Sequence, residues 1–164
     1  MDNHGEAAAD LAYSLQHIAS TMSRQTDQVL QERLGIGIAQ LRILMMLDRL
    51  GLDARQRRVA NLLGQTEASI SRQIKLLEEK NFLTVRINPQ SRREHLLVPT
   101  AKGLKLTEAA LQIVNEHSVP LAGLLSDKQQ EQMSGMLATL HAQICAPGKL
   151  YACDHFTRSN ANTE

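Results

Sequence analysis

The chain has 164 residues, of which 43% are hydrophobic and only 2% aromatic, and its formal net charge is +1. This composition favours a core of packed helices over a β-sandwich, because strands are enriched in aromatic and β-branched residues. Two cysteines, no apolar run of about 18 residues and no signal-peptide pattern argue against a disulfide scaffold or a membrane protein, so a cytoplasmic location is expected.

The first predicted helix covers residues 6–33 and carries one apolar stripe. The stripe consists of Leu11, Leu15, Ile18, Met22 and Val29, at helical spacing. A stripe over so many turns needs a second apolar surface to cover it. The Gly35-Ile-Gly37 stretch ends this helix, and a second helix over residues 39–50, apolar almost all round, is predicted to be central and buried.

Residues 53–80 are typical of two short helices joined by a tight turn. Asp53 followed by Gln56 resembles a capping box, and Gly64 stands where a left-handed helix cap is favoured. The first of these helices places Val59, Leu62 and Leu63 inward and Arg55, Arg57 and Arg58 outward. Thr66 is a good N-cap for the second, whose core face is Ile70, Ile74 and Leu77. Its outward face begins with small and cationic residues.

A β-hairpin is predicted next. Residues 82–87 alternate with period two and put Leu83, Val85 and Ile87 on one face. Residues 88–91 have turn chemistry, Arg92 and Arg93 lie at or just after the tip, and residues 96–98 return as the second strand.

Two further helices complete the pattern. Thr100 caps a helix over residues 101–117 with Leu104, Leu111 and Val114 as core candidates, and Pro120 is expected to break or kink it. Ser126 and Gln129 form a capping box for the last helix. The apolar face of the last helix contains Met133, Met136, Leu137, Leu140 and Ile144. The tail, residues 146–164, is expected to be flexible.

Charge is concentrated in the middle of the chain. Residues 51–105 contain eleven Lys or Arg and five Asp or Glu, a net charge of +6, so the remainder carries −5. This asymmetry is expected when one segment meets phosphate groups and its flanks do not. A helix-turn-helix followed by an arginine-rich hairpin therefore predicts a winged helix-turn-helix that binds DNA.

The chain resembles the MarR type of regulators (the multiple antibiotic resistance regulator family) over roughly residues 10–144. Residues 58–64, 68–80 and 88–103 carry the resemblance. Arg93, Thr100 and Gly103 match the family's wing pattern, whereas Ser91 replaces its usual Asp and Pro99 its usual Leu. The fold expected is mainly α with a small β-hairpin wing and long N- and C-terminal dimerisation helices.

The resemblance implies a transcriptional regulator, usually a repressor, that binds a pseudo-palindromic double-stranded DNA operator as a homodimer and responds to a small-molecule effector or stress. No cofactor is expected for such a regulator. The segments expected are an N-terminal dimerisation helix (1–34), a DNA-binding domain (35–100), C-terminal dimerisation helices (101–145) and the tail. Recognition-helix candidates are Thr66, Ala68, Ser69, Ser71, Arg72 and Lys75; wing candidates are Ser91, Arg92 and Arg93; dimerisation candidates are Leu11, Leu15, Ile18, Met133, Leu137, Leu140 and Ile144.

Other interpretations stay open. His141, Cys145, Cys153 and His155 are of metal-ligating type, but their spacing matches no common zinc motif, so no metal is assigned. They also allow a redox- or metal-sensing regulator. Arg57 and Arg58 fit phosphate contacts or plain surface equally well. A winged helix that binds protein instead of DNA is a rival, and the cations of the recognition face argue against it. No catalytic pattern is present, so an enzyme is not expected.

Overall fold

A computed structural model describes residues 3–51, 54–88 and 91–144, and within them it contains six helices and one two-stranded antiparallel sheet. The elements are α1 (Asn3–Leu34), α2 (Ile38–Leu50), α3 (Gln56–Leu62), α4 (Glu67–Glu79), β1 (Leu83–Asn88), β2 (Ser91–Pro99), α5 (Ala101–Ala122) and α6 (Asp127–Ile144). The predicted class, mainly α with a β-hairpin, is confirmed. None of the helices in these ranges is both long enough and apolar enough to cross a membrane.

The core surrounds α2, as its sequence predicts. Six residues of this helix are buried, among them Ile43 and Leu47 at 0% exposure. Side chains from every element up to α5 pack around them, including Leu30, Val59, Ile70, Leu77, Leu83, Leu97 and Ala110. The helix α6 contributes no buried residue. The helix-turn-helix and the hairpin therefore share one core, and α6 lies outside it.

The junction between α1 and α2 explains the Gly35-Ile-Gly37 stretch. Gly35 has φ +66°, the left-handed conformation that ends helices. Gly37 is the N-cap of α2, and a Cβ there would lie 2.8 Å from Oδ1 of Asp27. That carboxylate accepts a hydrogen bond of 2.8 Å from the amide of Ile38, so a side chain of α1 caps α2.

The helix α3 begins later than its sequence predicts. Asp53, the expected capping residue, lies outside the described residues, and the N-cap position is held by Arg55 without a side-chain cap. Residues 54 and 55 are extended because they pair with β2. The amide of Leu97 donates to the carbonyl of Ala54 at 2.8 Å, and Arg55 forms a bridge with Leu96. The N-cap of α3 is therefore two residues later than the sequence predicts.

The hairpin follows the predicted alternation only in part. Leu83 is buried and Val85 half-buried, but Ile87, predicted on the same face, is 65% exposed and Asn88 is buried instead. Ile87 pairs with His95 in the same register as the rest of β1, so it lies on the face of Leu83 and Val85 but past the end of the core. The register shifts after it, between Ile87 and Asn88, and Asn88 pairs with Ser91. Residues 92–94 fall between these two pairs, so β2 is irregular at this point and the alternation of faces is lost.

The first turn of α5 packs closely against the chain that leaves α4. A Cβ on Gly103 would lie only 1.9 Å from the carbonyl oxygen of Phe82, so no larger residue fits there. Thr100 caps the helix as predicted, its Oγ1 accepting from the amide of Gly103 at 3.0 Å. The prediction that Leu104 belongs to the core is wrong, since this residue is 39% exposed. The inward face instead contains Gly103, Thr107 and Ala110, because small residues allow this approach.

The predicted end of α5 near residue 117, with a break at Pro120, is also wrong. The helix α5 continues to Ala122, past the expected end at residue 117, with Pro120 inside it. Proline removes one amide donor, but the turn that contains Pro120 is still closed by a hydrogen bond of 3.2 Å from the amide of Gly123 to the carbonyl of Val119.

We predict that Gly103→Ala destabilises the fold strongly, because the backbone of Phe82 cannot move aside as a flexible side chain could. The expected loss is about 3 kcal/mol or more, measured by urea denaturation followed by circular dichroism. Gly5→Ala is the matched control: Gly5 is also the third residue of its helix, and a Cβ there meets nothing within 4 Å. The control should be neutral or slightly stabilising. Equal stabilities of the two variants would contradict this account of the junction.

Candidate nucleic-acid interface

The outward face of α4 is built as the sequence predicts. Ile70, Ile74 and Leu77 are buried, which leaves Ala68, Ser71, Arg72 and Lys75 exposed on the other side. Thr66 is the N-cap, and its Oγ1 accepts a hydrogen bond of 3.2 Å from the amide of Ser69. The outward face of α4 thus begins with small residues, which let a ligand approach its backbone, and two cations follow along the helix.

Local hydrogen bonds and one ion pair hold several side chains at the start and on the outward face of α4. The hydroxyl of Ser69 donates to Oε1 of Gln65 at 3.2 Å, and Nε of Arg72 donates to the carbonyl of Ala68 at 3.4 Å. Lys75 and Glu79 form an exposed ion pair of 4.0 Å, one helical turn apart. Exposed pairs of this kind contribute little and are easily exchanged for another partner. The cations of the face are therefore available to an anionic ligand.

The helix α3 adds a cation beside the first turn of α4. Arg57 lies 3.8 Å from Glu67, with both side chains more than half exposed. Glu67 is the only acidic residue in the first turn of α4. The sequence did not reveal this pair, because it depends on the angle between the two helices.

The wing arginines occupy the irregular part of β2. The backbone places Arg92 and Arg93 between the pair Asn88–Ser91 and the pair Ile87–His95, at the distal end of the hairpin. Arg86 in β1 is exposed on the same hairpin. The position predicted for these arginines, at or just after the tip, agrees with this register.

The predicted dimerisation residues lie on α1 and α6, and most are exposed in the single chain. Leu15 is half-buried. The exposed members are Leu11 (55%), Ile18 (51%), Met133 (44%), Leu137 (41%), Leu140 (39%) and Ile144 (63%). An amphipathic helix with its apolar face in water lacks the surface that would stabilise it.

The metal and redox hypotheses stay predictions. His141 is in α6, whereas Cys145, Cys153 and His155 lie outside the described residues. Among residues 3–51, 54–88 and 91–144, no group of three or more His, Cys, Asp or Glu is arranged to hold a metal ion.

Sequence reasoning also missed the contacts that hold the end of α4. Nζ of Lys80 donates to the carbonyl of Gly35 at 2.6 Å, and Nζ of Lys102 donates to the carbonyl of Lys80 at 3.0 Å. Thr100 donates through its hydroxyl to the carbonyl of Asn81 at 2.8 Å. These contacts join residues 19 to 45 positions apart, which no local pattern indicates. The one local signal was the Thr100 to Gly103 spacing.

Comparison with known proteins agrees with this geometry. A family model described as "MarR family" matches residues 34–94. The MepR–DNA complex of Staphylococcus aureus is 28% identical with a TM-score of 0.71, over 80% of this chain and 96% of that one. A MarR-family regulator of Rhodococcus sp. RHA1 is 20% identical with a TM-score of 0.71, over 83% and 93% of the two chains. A comparison with curated proteins gave no significant match. Residues 34–94 therefore match the MarR family model, and the fold of the chain is that of the winged helix-turn-helix proteins to which it is similar.

Proposed function

We propose that the chain is a transcriptional regulator that binds double-stranded DNA as a homodimer through α4 and the hairpin. The observation that carries this proposal is the outward face of α4, where exposed Arg72 and Lys75 follow a start made of small residues. The likeness to MepR, solved as a complex with DNA, supports it.

The size and chemistry of α4 suit the major groove. The groove is about 12 Å wide and accepts one α-helix, provided that its backbone can come close. Ala68 and Ser71 allow this approach, and Thr66, Ser69 and Ser71 supply hydroxyl groups near the groove floor or the phosphates. Arg72 can pair with a guanine edge or a phosphate, and Lys75 can contact a phosphate after exchanging its exposed partner Glu79.

The hairpin supplies the second contact. Arg92 and Arg93 lie at its distal end, where a wing beside the recognition helix reaches the adjacent minor groove or its phosphates. Ser91 pairs with Asn88 next to the turn of the hairpin, just before these two arginines. We propose that Ser91, Arg92 and Arg93 form the wing site. Arg57 of α3, beside the first turn of α4, is a further candidate for a phosphate contact.

A homodimer would cover the apolar faces of α1 and α6. Both helices leave Leu or Ile side chains more than half exposed in the single chain, and α6 buries none of its residues. A two-fold dimer would present α4 twice, which matches a pseudo-palindromic operator. We retain the division into dimerisation segments (1–34 and 101–145) around a DNA-binding domain (35–100) as part of this proposal.

The finer hypothesis is a repressor controlled by a small-molecule effector. Its support is the resemblance to MarR-type proteins and the likeness to MepR, which is described as a regulator of a multidrug efflux pump.

Arg72→Ala should weaken binding to the DNA that flanks this protein's own gene about tenfold or more, because a base or phosphate contact of the recognition helix is lost. The measurement is a gel shift or fluorescence anisotropy at fixed salt. Arg24→Ala on α1, which removes the same charge outside the proposed interface, should change affinity less than twofold. Equal affinities of wild type and Arg72→Ala would show that α4 is not the reading helix.

Arg93→Ala should leave the preferred sequence unchanged but weaken binding to all duplexes. Because one phosphate contact per protomer is lost, the slope of log affinity against log salt should become shallower by about one for each contact. Titrations at three or more salt concentrations measure it. An unchanged slope would exclude a phosphate contact from Arg93.

Leu137→Glu together with Leu140→Glu should convert the protein to a monomer, since two unpaired carboxylates would be buried in the dimer. We expect the dissociation constant to rise at least about 100-fold, as followed by sedimentation equilibrium. Ala142→Glu, on the opposite side of α6 by helical spacing, is the control and should remain dimeric. A wild-type chain that is monomeric at micromolar concentration would contradict the homodimer.

A further inference from the structure

We infer that Lys80 and Lys102 are positioning residues that fix the orientation of α4 relative to α1 and α5. This inference rests on the proposed function, because it concerns how the two recognition helices of a dimer are spaced on DNA. It adds two residues that lie outside the DNA-contacting and dimerisation sets. We call the pair, with the carbonyl groups of Gly35 and Lys80 that it binds, the lysine clip.

The clip joins the ends of three helices. Lys80 is the C-cap of α4, and its Nζ reaches the carbonyl of Gly35, the residue that follows α1, at 2.6 Å. The carbonyl of Lys80 in turn accepts from Nζ of Lys102, in the first turn of α5, at 3.0 Å. Ammonium groups placed at helix C-termini bind the last carbonyls and oppose the negative end of the helix dipole. The recognition helix is thus connected to the N-terminal helix on one side and to α5 on the other.

The backbone around the clip leaves little freedom. Asn81 adopts φ +58°, and the amide of Phe82 donates to the carbonyl of Leu77 at 2.9 Å, so α4 ends in a Schellman motif. Lys102 also lies over the ring of Phe82, with Nζ 4.7 Å from the ring centroid. The backbone next to Lys80 and the side chain of Lys102 are therefore both held in place.

The lysine clip is suited to fix the angle of α4 relative to α1 and α5, although it contributes little to the free energy of unfolding. The side chains of Lys80 and Lys102 are exposed, and exposed polar contacts contribute little to the free energy of unfolding. The buried core of Ile70, Ile74 and Leu77 holds α4 in the domain without them. A small rotation of α4 about its C-terminal end would nevertheless displace its N-terminal residues most, because the displacement grows with distance along the helix. Such a rotation would change the distance between the two recognition helices of a dimer.

The first test measures orientation without DNA. Spin labels at Ser20→Cys on α1 and Asn61→Cys on α3, both exposed positions, report the distance between the helix-turn-helix and α1. Cys145→Ser and Cys153→Ser remove the native thiols, and dilution with unlabelled protein leaves only distances within one chain. Lys80→Met should broaden the distance distribution, since it keeps the aliphatic stem but removes the donor. Lys80→Arg should restore the narrow distribution.

The matched control is Lys105→Met, which removes the same charge from α5 one turn after Lys102 and should leave the distribution unchanged. Lys102→Met is a second variant that breaks the other bond of the clip. An unchanged distribution in both Lys80→Met and Lys102→Met would overturn the inference.

The second test uses DNA with two half-sites at different separations. The wild type should prefer one separation, and Lys80→Met should reduce that preference about fivefold or more, the lower end of a typical coupling between sites. The affinity of Lys80→Met for a single half-site should match that of the control Lys105→Met. A retained preference in Lys80→Met, or an equal loss on the single half-site, would overturn the positioning role. If the wild type binds no duplex, the proposed function fails, while the distance measurement still decides whether the clip sets the orientation.

Discussion

The structure depends on one short stretch of backbone at the end of α4. Three consecutive carbonyl groups, those of residues 80–82, accept hydrogen bonds from Thr100 and Lys102 at the start of α5. The positive end of the α5 dipole thus faces the negative end of α4, an arrangement that electrostatics favours. The contact is possible only because Gly103 has no side chain. It closes the loop that contains the hairpin and so determines where the wing lies relative to the recognition helix.

This constraint connects folding to the proposed function. The buried face of α4 packs into the core that surrounds α2, and the C-terminal end of α4 is held by α1 and α5 through the lysine clip. The outward face is left exposed, with small residues at its beginning and Arg72 and Lys75 after them. A fixed end and an exposed beginning are what a helix needs if it is to enter a groove in one orientation. The apolar faces of α1 and α6, exposed in the single chain, supply the surface on which two such units could be joined.

Local sequence patterns predicted most of the helices and the hairpin, and long-range contacts account for what they missed. The face formed by Ile70, Ile74 and Leu77 and the Thr66 cap follow from helical spacing and capping chemistry, so both were predictable. The start of α3 was not, because Ala54 and Arg55 are extended by pairing with β2, more than forty residues away. The exposure of Ile87 was not predictable either, because Ile87 lies on the face of Leu83 and Val85 but past the end of the core, which the alternation does not indicate. The lysine clip could not be predicted, since no sequence pattern indicates that Lys80 lies near Gly35.

The central claim is that the chain presents α4 twice to one DNA molecule, and selection of binding sequences from random duplexes tests it most directly. The account predicts that the enriched DNA contains an inverted repeat, with half-sites about one helical turn apart, 10 to 10.5 base pairs from centre to centre, or a multiple of that. It also predicts that affinity for this repeat falls steeply as salt increases. Selection that enriches no sequence, or enriches a motif without two-fold symmetry, would contradict the claim.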